Sequence, residues 1–324
     1  MAHPANVPRI DWSSSRRFFW VAGVVALGLL VSCSPRKLAV GALADALSES
    51  SGVFARDDDP ELVGDALPFT LKTLEALLET APDDVDLLLA TCSGFTQYTF
   101  AYVDLEAEAL PDSAFRERQR LSERALRLYV RARGYCLRAL EVRHEGLSDS
   151  LVRDPAAALA PTTKDDVPLL FWTAGAWGSA ISHALHRPDM VIDLPVVEQL
   201  LARALTLDPT WDRGALHEAM MALEALPQTM GGSPAAAEEH YRRAVELADG
   251  ERAGTHVSYA LLLAVPRQDR EAFEAALRAA QAVDLDASPP DRLANVLAQR
   301  RARLLLDRAD EYFLDDGPDP DAEP

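Results

Sequence analysis

The sequence predicts an all-helical protein, and three observations support that prediction. Alanine and leucine dominate the 48% of the 324 residues that are hydrophobic, while aromatic residues make up only 7%. Apolar positions recur at steps of three and four, and almost no segment alternates with a period of two. One long segment past the N-terminus, residues 167–185, contains no charged side chain, which is typical of a helix at the centre of a helical fold.

The central helix is predicted to begin at Val167. A capping box upstream, formed by Thr162 with Asp165 or by Thr163 with Asp166, marks that start. A membrane span is the competing interpretation, because about 20 apolar residues cross a bilayer. The polar and helix-perturbing residues that dilute the run favour a buried helix instead: Pro168, Thr173, Ser179, Ser182 and His183.

Charge limits the kinds of partner. The chain has 51 acidic and 32 basic side chains, a formal charge of −19, and without residues 1–32 it is more acidic still. Binding to nucleic acid requires a basic face that neutralises phosphates. Nucleic acid is therefore not expected as a partner.

The N-terminus is predicted to be a lipoprotein signal peptide. Arg16 and Arg17 precede the uncharged apolar run Phe18–Val31, which has the length of a signal-peptide core. The sequence from Leu30 to Cys33 resembles a bacterial lipobox, in which the cysteine is acylated and becomes the first residue of the mature protein. Two or more acyl chains give stable membrane anchoring. Cys33 is therefore the predicted lipid anchor.

The lipoprotein signal peptide predicts a periplasm-facing protein. Ser34 after the cysteine fits sorting to the outer membrane, and the segment from Ser15 to Phe19 leaves twin-arginine export open beside the general route. The predicted organisation is a signal peptide over 1–32, one helical domain over 33–314 and a disordered acidic tail over 315–324.

Two further cysteines, Cys92 and Cys136, are expected to be buried thiols. If their helices form a hairpin that turns near Pro111, Cys92 lies about 19 residues before the turn and Cys136 about 25 after it. The mismatch is roughly 9 Å along the helix axis, which exceeds disulfide geometry. An oxidising compartment favours a disulfide, but the spacing favours free thiols.

Helices are predicted over residues 60–80, 83–108 and 112–143. The third has a predicted buried seam, which comprises Leu121, Ala125, Leu128, Ala132, Tyr135, Ala139 and Val142. Its other faces carry nine arginines and only three glutamates. This stripe, represented by Arg120, Arg124, Arg127 and Arg131, either pairs with neighbouring carboxylates or docks an acidic partner or lipid headgroups.

Beyond the central helix the sequence becomes repetitive. The phrase Arg203–Pro209 recurs loosely as Arg243–Asp249 and Gln281–Asp286, with a fainter copy at Arg138–Val142. It is typical of the end of the second helix in a tetratricopeptide repeat, although the spacing exceeds the usual 34 residues. The fold prediction is thus tetratricopeptide-like: stacked helical hairpins around the central apolar helix, with a concave binding face.

At this point the chain resembles a known family, the TatT components of TRAP (tripartite ATP-independent periplasmic) transporters. The segments that carry the resemblance, besides the lipobox, are Ser51–Phe54 with the triple aspartate Asp57–Asp59, Cys92–Tyr98, Asp166–Trp172, Ala215–Glu218 and Asn295–Arg303. The resemblance implies a tetratricopeptide-like lipoprotein that works beside the periplasmic solute-binding protein. It also implies a homo-oligomer and a hydrophobic pore or pocket.

Catalytic and cofactor motifs do not stand out. The chain has no glycine-rich phosphate loop, no nucleophile elbow and no zinc-type spacing of cysteine and histidine, so no cofactor and no metal are expected. His217 and Glu218 begin like a zincin helix but lack the second histidine, and His183 with His186 would supply only two metal ligands.

The leading functional hypothesis is a non-enzymatic lipoprotein that docks the solute-binding protein and holds an apolar or amphipathic organic anion. The predicted pore-lining residues are Phe95, Tyr98, Phe171, Trp172 and Trp177. The alternative for Trp172 and Trp177 is that they only fill the hydrophobic core. A second hypothesis is an outer-membrane lipoprotein scaffold for envelope protein assembly. A third is a hydrolase centred on His217 and Glu218.

Overall fold

Helices make up all the regular secondary structure of residues 52–314, the range that the computed structural model describes, and no strand occurs within it. The all-helical prediction is confirmed. The helices are α1 (Pro60–Leu78), α2 (Val85–Thr99), α3 (Leu105–Ala109), α4 (Phe115–Arg143), α5 (Leu147–Leu151), α6 (Pro155–Leu159), α7 (Val167–Ser182), α8 (Pro188–Val191), α9 (Leu194–Leu207), α10 (Ala215–Glu224), α11 (Pro234–Leu247), α12 (Ala253–Tyr259), α13 (Arg270–Ala282) and α14 (Arg292–Asp307).

The predicted central helix is α7. Its start is fixed by Thr163 and Asp166, one of the two predicted capping boxes, with the Asp166 carboxylate accepting from the Thr163 N–H at 2.8 Å. Helices α2, α4 and α9 all pack against it, and most of its buried residues belong to the largest core cluster. It ends at Ser182, which leaves Leu185 outside the helix and 62% exposed. No helix within residues 52–314 has the length and apolar character that a membrane crossing requires.

The buried seam of α4 differs in part from the prediction. Leu128 and Tyr135 are only partly buried, and Val142 is 44% exposed, so the predicted inward position of Val142 is wrong. A seventh-residue repeat drifts by about 20° per heptad on a straight α-helix. Over 29 residues that drift moves burial to neighbouring positions. The buried residues are Leu121, Ala125, Tyr129, Ala132, Cys136, Ala139 and Leu140.

Cys92 and Cys136 form a disulfide with their Cα atoms 5.5 Å apart, so the expectation of two free thiols is wrong. A mismatch of roughly 9 Å would arise only if two straight helical arms met at Pro111. The turn instead spans the extended residues Leu110 and Pro111 and the short 3₁₀ segment Asp112–Ala114. Four residues of difference remain between the helical arms, about 6 Å of axial rise. The irregular connector takes up that difference.

The last helix returns to the first ones. Arg300 of α14 pairs with Glu61 of α1, and Arg301 pairs with Glu108 of α3 at 2.7 Å. The Arg301 guanidinium also lies 5.8 Å from the Phe100 ring centroid. The two ends of the described chain are therefore neighbours in space.

Three of the four repeated segments lie at the C-terminal ends of helices, as predicted. Helix α4 ends at Arg143, α9 at Leu207 and α11 at Leu247, whereas α13 ends at Ala282, near the start of its copy. The predicted signal peptide over 1–32, the predicted lipid anchor at Cys33 and the predicted disordered tail over 315–324 lie outside the described residues and stay predictions.

Candidate functional site

Helix α7 is buried on most sides but keeps one half-buried stripe. Phe171, Trp172, Gly175 and Ser179 follow one another on this stripe at helical spacing, and each is only partly buried. The Phe171 ring lies 5.1 Å from the Trp172 ring between centroids. A side-chain carbon placed at Gly175 would meet no other atom within 4 Å. Aromatic surface and open space therefore occur together here.

Trp211 completes this aromatic surface and was not among the predicted site residues. Its ring centroid lies 4.7 Å from that of Phe171. It belongs to the 3₁₀ turn Trp211–Gly214, in which Asp212 and Arg213 have φ of 44° and 51°. Such a left-handed backbone is costly for residues other than glycine, so the surrounding structure must hold it. We call Phe171, Trp172 and Trp211 the aromatic cluster.

A network of charged side chains holds the turn. The Arg213 guanidinium donates to the Ser288 hydroxyl at 2.7 Å, to the Asp291 carboxylate at 2.9 Å and to the Ala248 carbonyl at 2.8 Å. The Arg252 guanidinium shares Asp291 and also donates to the Asp212 carbonyl at 2.7 Å. These bonds compensate the strained backbone beside Trp211.

Phe95 and Tyr98 lie in a different place. Phe95 is 4% exposed, stacks on Tyr135 with centroids 6.1 Å apart and lies under the Arg131 guanidinium at 4.9 Å. The Tyr98 hydroxyl accepts from Arg124 at 3.1 Å. No ring contact among the described residues joins these two side chains to the aromatic cluster. Their part in a pore stays a prediction.

Trp177, the fifth predicted residue, fills the interior. Only 3% of it is exposed, and the Arg133 guanidinium lies 4.7 Å from the ring centroid. Cation–π contacts at this distance are attractive. A surface depression of 310 Å³ lies elsewhere, beside Ser150, Arg153 and Asp154, and none of the five predicted aromatic residues lines it.

The arginine stripe on α4 is partly neutralised. Arg120 pairs with Glu117 one turn away, and Arg131 pairs with Glu75 of α1. The Glu75 carboxylate also accepts from the Tyr135 hydroxyl at 2.7 Å. Arg127 is exposed and forms no ion pair with any residue of 52–314. The pairing interpretation therefore holds for Arg120 and Arg131, and Arg127 keeps a charge that a partner can meet.

His217 and Glu218 diverge in their contacts. The His217 Nδ1 lies 2.9 Å from the His240 Nδ1, while the Glu218 carboxylate accepts from the Thr255 and Ser258 hydroxyls, each at 3.1 Å. Burial, reinforced by the neighbouring imidazole, lowers the pKa of His217 below its ordinary value, and burial lowers that of His240. These contacts do not place a nucleophilic side chain beside His217 as its base, which is the arrangement that the hydrolase hypothesis needs.

The other histidine candidates have structural contacts. His183 lies 3.1 Å from the Asp104 carboxylate and 2.9 Å from the Ser122 hydroxyl, while His186 is exposed. Within residues 52–314 no three histidine, cysteine or carboxylate side chains are grouped as metal ligands.

Comparison with known proteins identifies the family. A protein of Treponema pallidum (strain Nichols), described as uncharacterized, is 27% identical over 315 residues, which cover 89% of this chain and 95% of that protein. The profile of a transport-associated family, described as TRAP transporter T-component, matches residues 56–313 and includes both the aromatic cluster and the arginine stripe. The chain therefore belongs to the TRAP transporter T-component family.

Proposed function

We propose that this chain is a periplasmic lipoprotein that docks the solute-binding protein of a TRAP system and holds an apolar or amphipathic organic anion. In this proposal acyl chains on Cys33 anchor it, at the outer membrane. Stacked tetratricopeptide-like hairpins present the binding face, and copies of the chain assemble into a homo-oligomer. Family membership supports the transport role.

The aromatic cluster is the observation that carries the solute-holding part. Phe171 and Trp172 keep exposed surface on a helix that is buried on most sides, and the space beside Gly175 is open. Ligand sites are concave and mostly apolar, with aromatic side chains at their walls. An apolar group of the solute would replace water on these rings.

The arginine stripe supports the docking part. The protein is strongly acidic, so a basic strip on α4 gives it a local field of the opposite sign. Complementary charge orients a partner and speeds association. The expected partner surface is therefore an acidic face of the solute-binding protein.

Docking is tested by crosslinking the full-length protein to the solute-binding protein encoded at the same locus. Arg127→Glu should weaken association by about tenfold, because it reverses a charge that has no internal partner. Arg303→Glu is the matched control, since Arg303 is an exposed arginine on α14 that also forms no ion pair with any residue of 52–314. Equal crosslinking of both variants and the unchanged protein would remove the arginine stripe from the interface. Absence of any crosslink would remove the docking proposal.

Solute holding is tested with a fluorescent apolar anion. Trp172→Ala should weaken its binding by roughly tenfold or more, because burying an aromatic ring contributes 1.5–3 kcal/mol or thereabouts. Phe115→Ala is the control, since Phe115 is 68% exposed at the start of α4, outside the cluster. Equal losses in the two variants would show that the cluster is not the site. Capture of unfolded barrel protein instead of the anion would select the assembly scaffold.

A further inference from the structure

The two ends of the described chain meet through arginine side chains rather than through apolar packing. Arg301 of α14 donates to both oxygens of the Glu108 carboxylate, at 2.7 and 3.1 Å. Arg300 pairs with Glu61, and the Arg308 guanidinium donates to the Glu108 carbonyl at 3.0 Å. We call these contacts the closing interface. Among the described residues, no hydrophobic core cluster contains members from both of its sides.

The closing interface depends on charge. The Glu61 side chain is 71% exposed and that of Arg300 is 44% exposed, so water and salt compete for this pair. The bidentate pair of Arg301 and Glu108 is the stronger one, since these side chains are only 20% and 23% exposed. Because no apolar cluster crosses the interface, it can open without exposing a hydrophobic core.

The C-terminal helices form one body on one side of this interface. Helices α12, α13 and α14 share a hydrophobic core cluster, and each contributes fully buried residues to it. A separate apolar cluster joins this C-terminal body to the preceding helices. Its buried members are Met221 of α10, Ala237 of α11 and Leu263, which follows α12. This apolar contact does not depend on salt bridges, so it serves as the hinge when the closing interface opens.

The C-terminal body also holds the turn that carries Trp211. The Arg213 guanidinium donates to the Asp291 carboxylate at 2.9 Å, and Asp291 is the N-cap residue of α14. The buried Asn295 side chain fixes the start of α14 to α12, because it accepts from the Ala253 N–H at 2.9 Å. A rotation of the C-terminal body therefore carries the Trp211 turn with it.

We propose that opening of the closing interface moves Trp211 away from Phe171 and so weakens solute binding at the aromatic cluster. Phe171 lies on α7, outside the C-terminal body, and its ring centroid is 4.7 Å from that of Trp211. Aromatic pairs interact up to centroid separations of about 7 Å, so a displacement of about 3 Å separates the two rings. The inference rests on the proposed function, because it names how the solute site is regulated.

The test is fluorine NMR of the full-length protein in detergent, labelled with fluorotryptophan and with signals assigned by Trp211→Phe and Trp177→Phe. Arg301→Glu places like charges against each other at Glu108. It should shift the Trp211 signal, because the Phe171 ring no longer lies beside it, and leave the signal of the buried Trp177 unchanged. The double variant Glu108→Arg/Arg301→Glu restores an opposite pair and should return the Trp211 signal to its original position.

Arg278→Glu is the matched control, since Arg278 pairs with Glu274 inside α13, away from the closing interface. It should shift neither signal. Salt supplies a test without any variant, because the screening length falls from about 10 Å at 0.1 M to about 3 Å at 1 M. Raising sodium chloride over this range should move the Trp211 signal of the unchanged protein in the direction seen for Arg301→Glu. If Arg301→Glu does not fold, this titration decides.

Solute binding supplies the second measurement. The fluorescent apolar anion should bind Arg301→Glu about fivefold more weakly than the unchanged protein. A Trp211 signal that stays in place in high salt, an equal shift in Arg278→Glu, or unchanged anion binding despite a shifted Trp211 signal would each overturn the proposal. Failure of the anion to bind the unchanged protein would refute solute holding, whereas the Trp211 signal reports on the movement without any anion.

Discussion

Opening the Cys92–Cys136 disulfide should lower the free energy of unfolding by about 4 kcal/mol. The bridge joins residues 44 apart, and the entropy lost when a loop of that length is closed in the unfolded chain gives this magnitude. Both cysteines are fully buried, so solvent does not compete for the sulfur atoms. The effect acts mainly through the unfolded state, which gains freedom when the bridge is absent.

Urea unfolding followed by circular dichroism measures the effect. With a denaturant slope of about 3 kcal/mol per molar urea, the Cys92→Ala/Cys136→Ala double variant should unfold at a midpoint lower by about 1.3 M. Ser93→Ala is the matched control, because Ser93 is the next residue on α2 and leaves the bridge intact. Reduction of the unchanged protein in urea should give the same lower midpoint on refolding.

The bridge also lies next to the aromatic cluster. The Cys92 sulfur is 4.0 Å from the Trp172 carbonyl oxygen, so the disulfide holds α2 and α4 together where they support α7. Loss of the bridge should therefore change Trp172 fluorescence before global unfolding. Equal midpoints for the bridged and unbridged proteins, or two free thiols titrated in denaturant, would refute this reasoning.

Four further predictions concern stability. Burial lowers the pKa of His217 and His240, so the unfolded chain takes up protons first as the pH falls towards about 6.5. The free energy of unfolding should therefore drop between pH 7.5 and 5.5. The double variant His217→Gln/His240→Gln should lessen that drop in urea titrations. Gly134→Ala should raise stability by about 0.5–1 kcal/mol, since its position on α4 is open, whereas Gly64→Ala should lower thermal stability because the new carbon would lie 2.6 Å from a tyrosine ring. Arg213→Gly keeps the left-handed backbone accessible but removes the hydrogen bonds of the Arg213 side chain, and should lower the free energy of unfolding by about 2–3 kcal/mol in the same urea assay. An unchanged midpoint in any of the four would contradict the reasoning behind that prediction.

Local features of the fold could be predicted from the sequence because they depend on neighbours along the chain. The capping box of Thr163 and Asp166 uses residues three apart, and the uncharged run after it marks α7. The disulfide was missed because it depends on the path of an irregular connector, which no periodicity encodes. The exact seam of α4 does not follow from a strict heptad, because a straight helix drifts away from that repeat over its 29 residues.

The site was predictable only in part for the same reason. Phe171 and Trp172 lie on the segment that composition singles out, so they could be chosen from the sequence alone. Trp211 could not, because its approach to Phe171 depends on a turn some 40 residues away, held by long-range bonds to Asp291. The Trp just after the Asp208–Pro209 helix stop was the only sequence signal, and a tryptophan in a loop does not reveal its partner.

The position of Trp211 bears on how the aromatic cluster works. Phe171 and Trp172 are fixed by a helix that three others enclose, whereas Trp211 depends on a strained turn held by Arg213 and its bonds to the Asp291 region. Strained segments persist only when surrounding contacts over-determine them. The helix therefore fixes Phe171 and Trp172. The Trp211 ring instead depends on the hydrogen bonds and ion pairs between its turn and the C-terminal part of the chain. A change in the packing of the C-terminal helices would move Trp211 relative to Phe171 and so alter the aromatic surface offered to a solute.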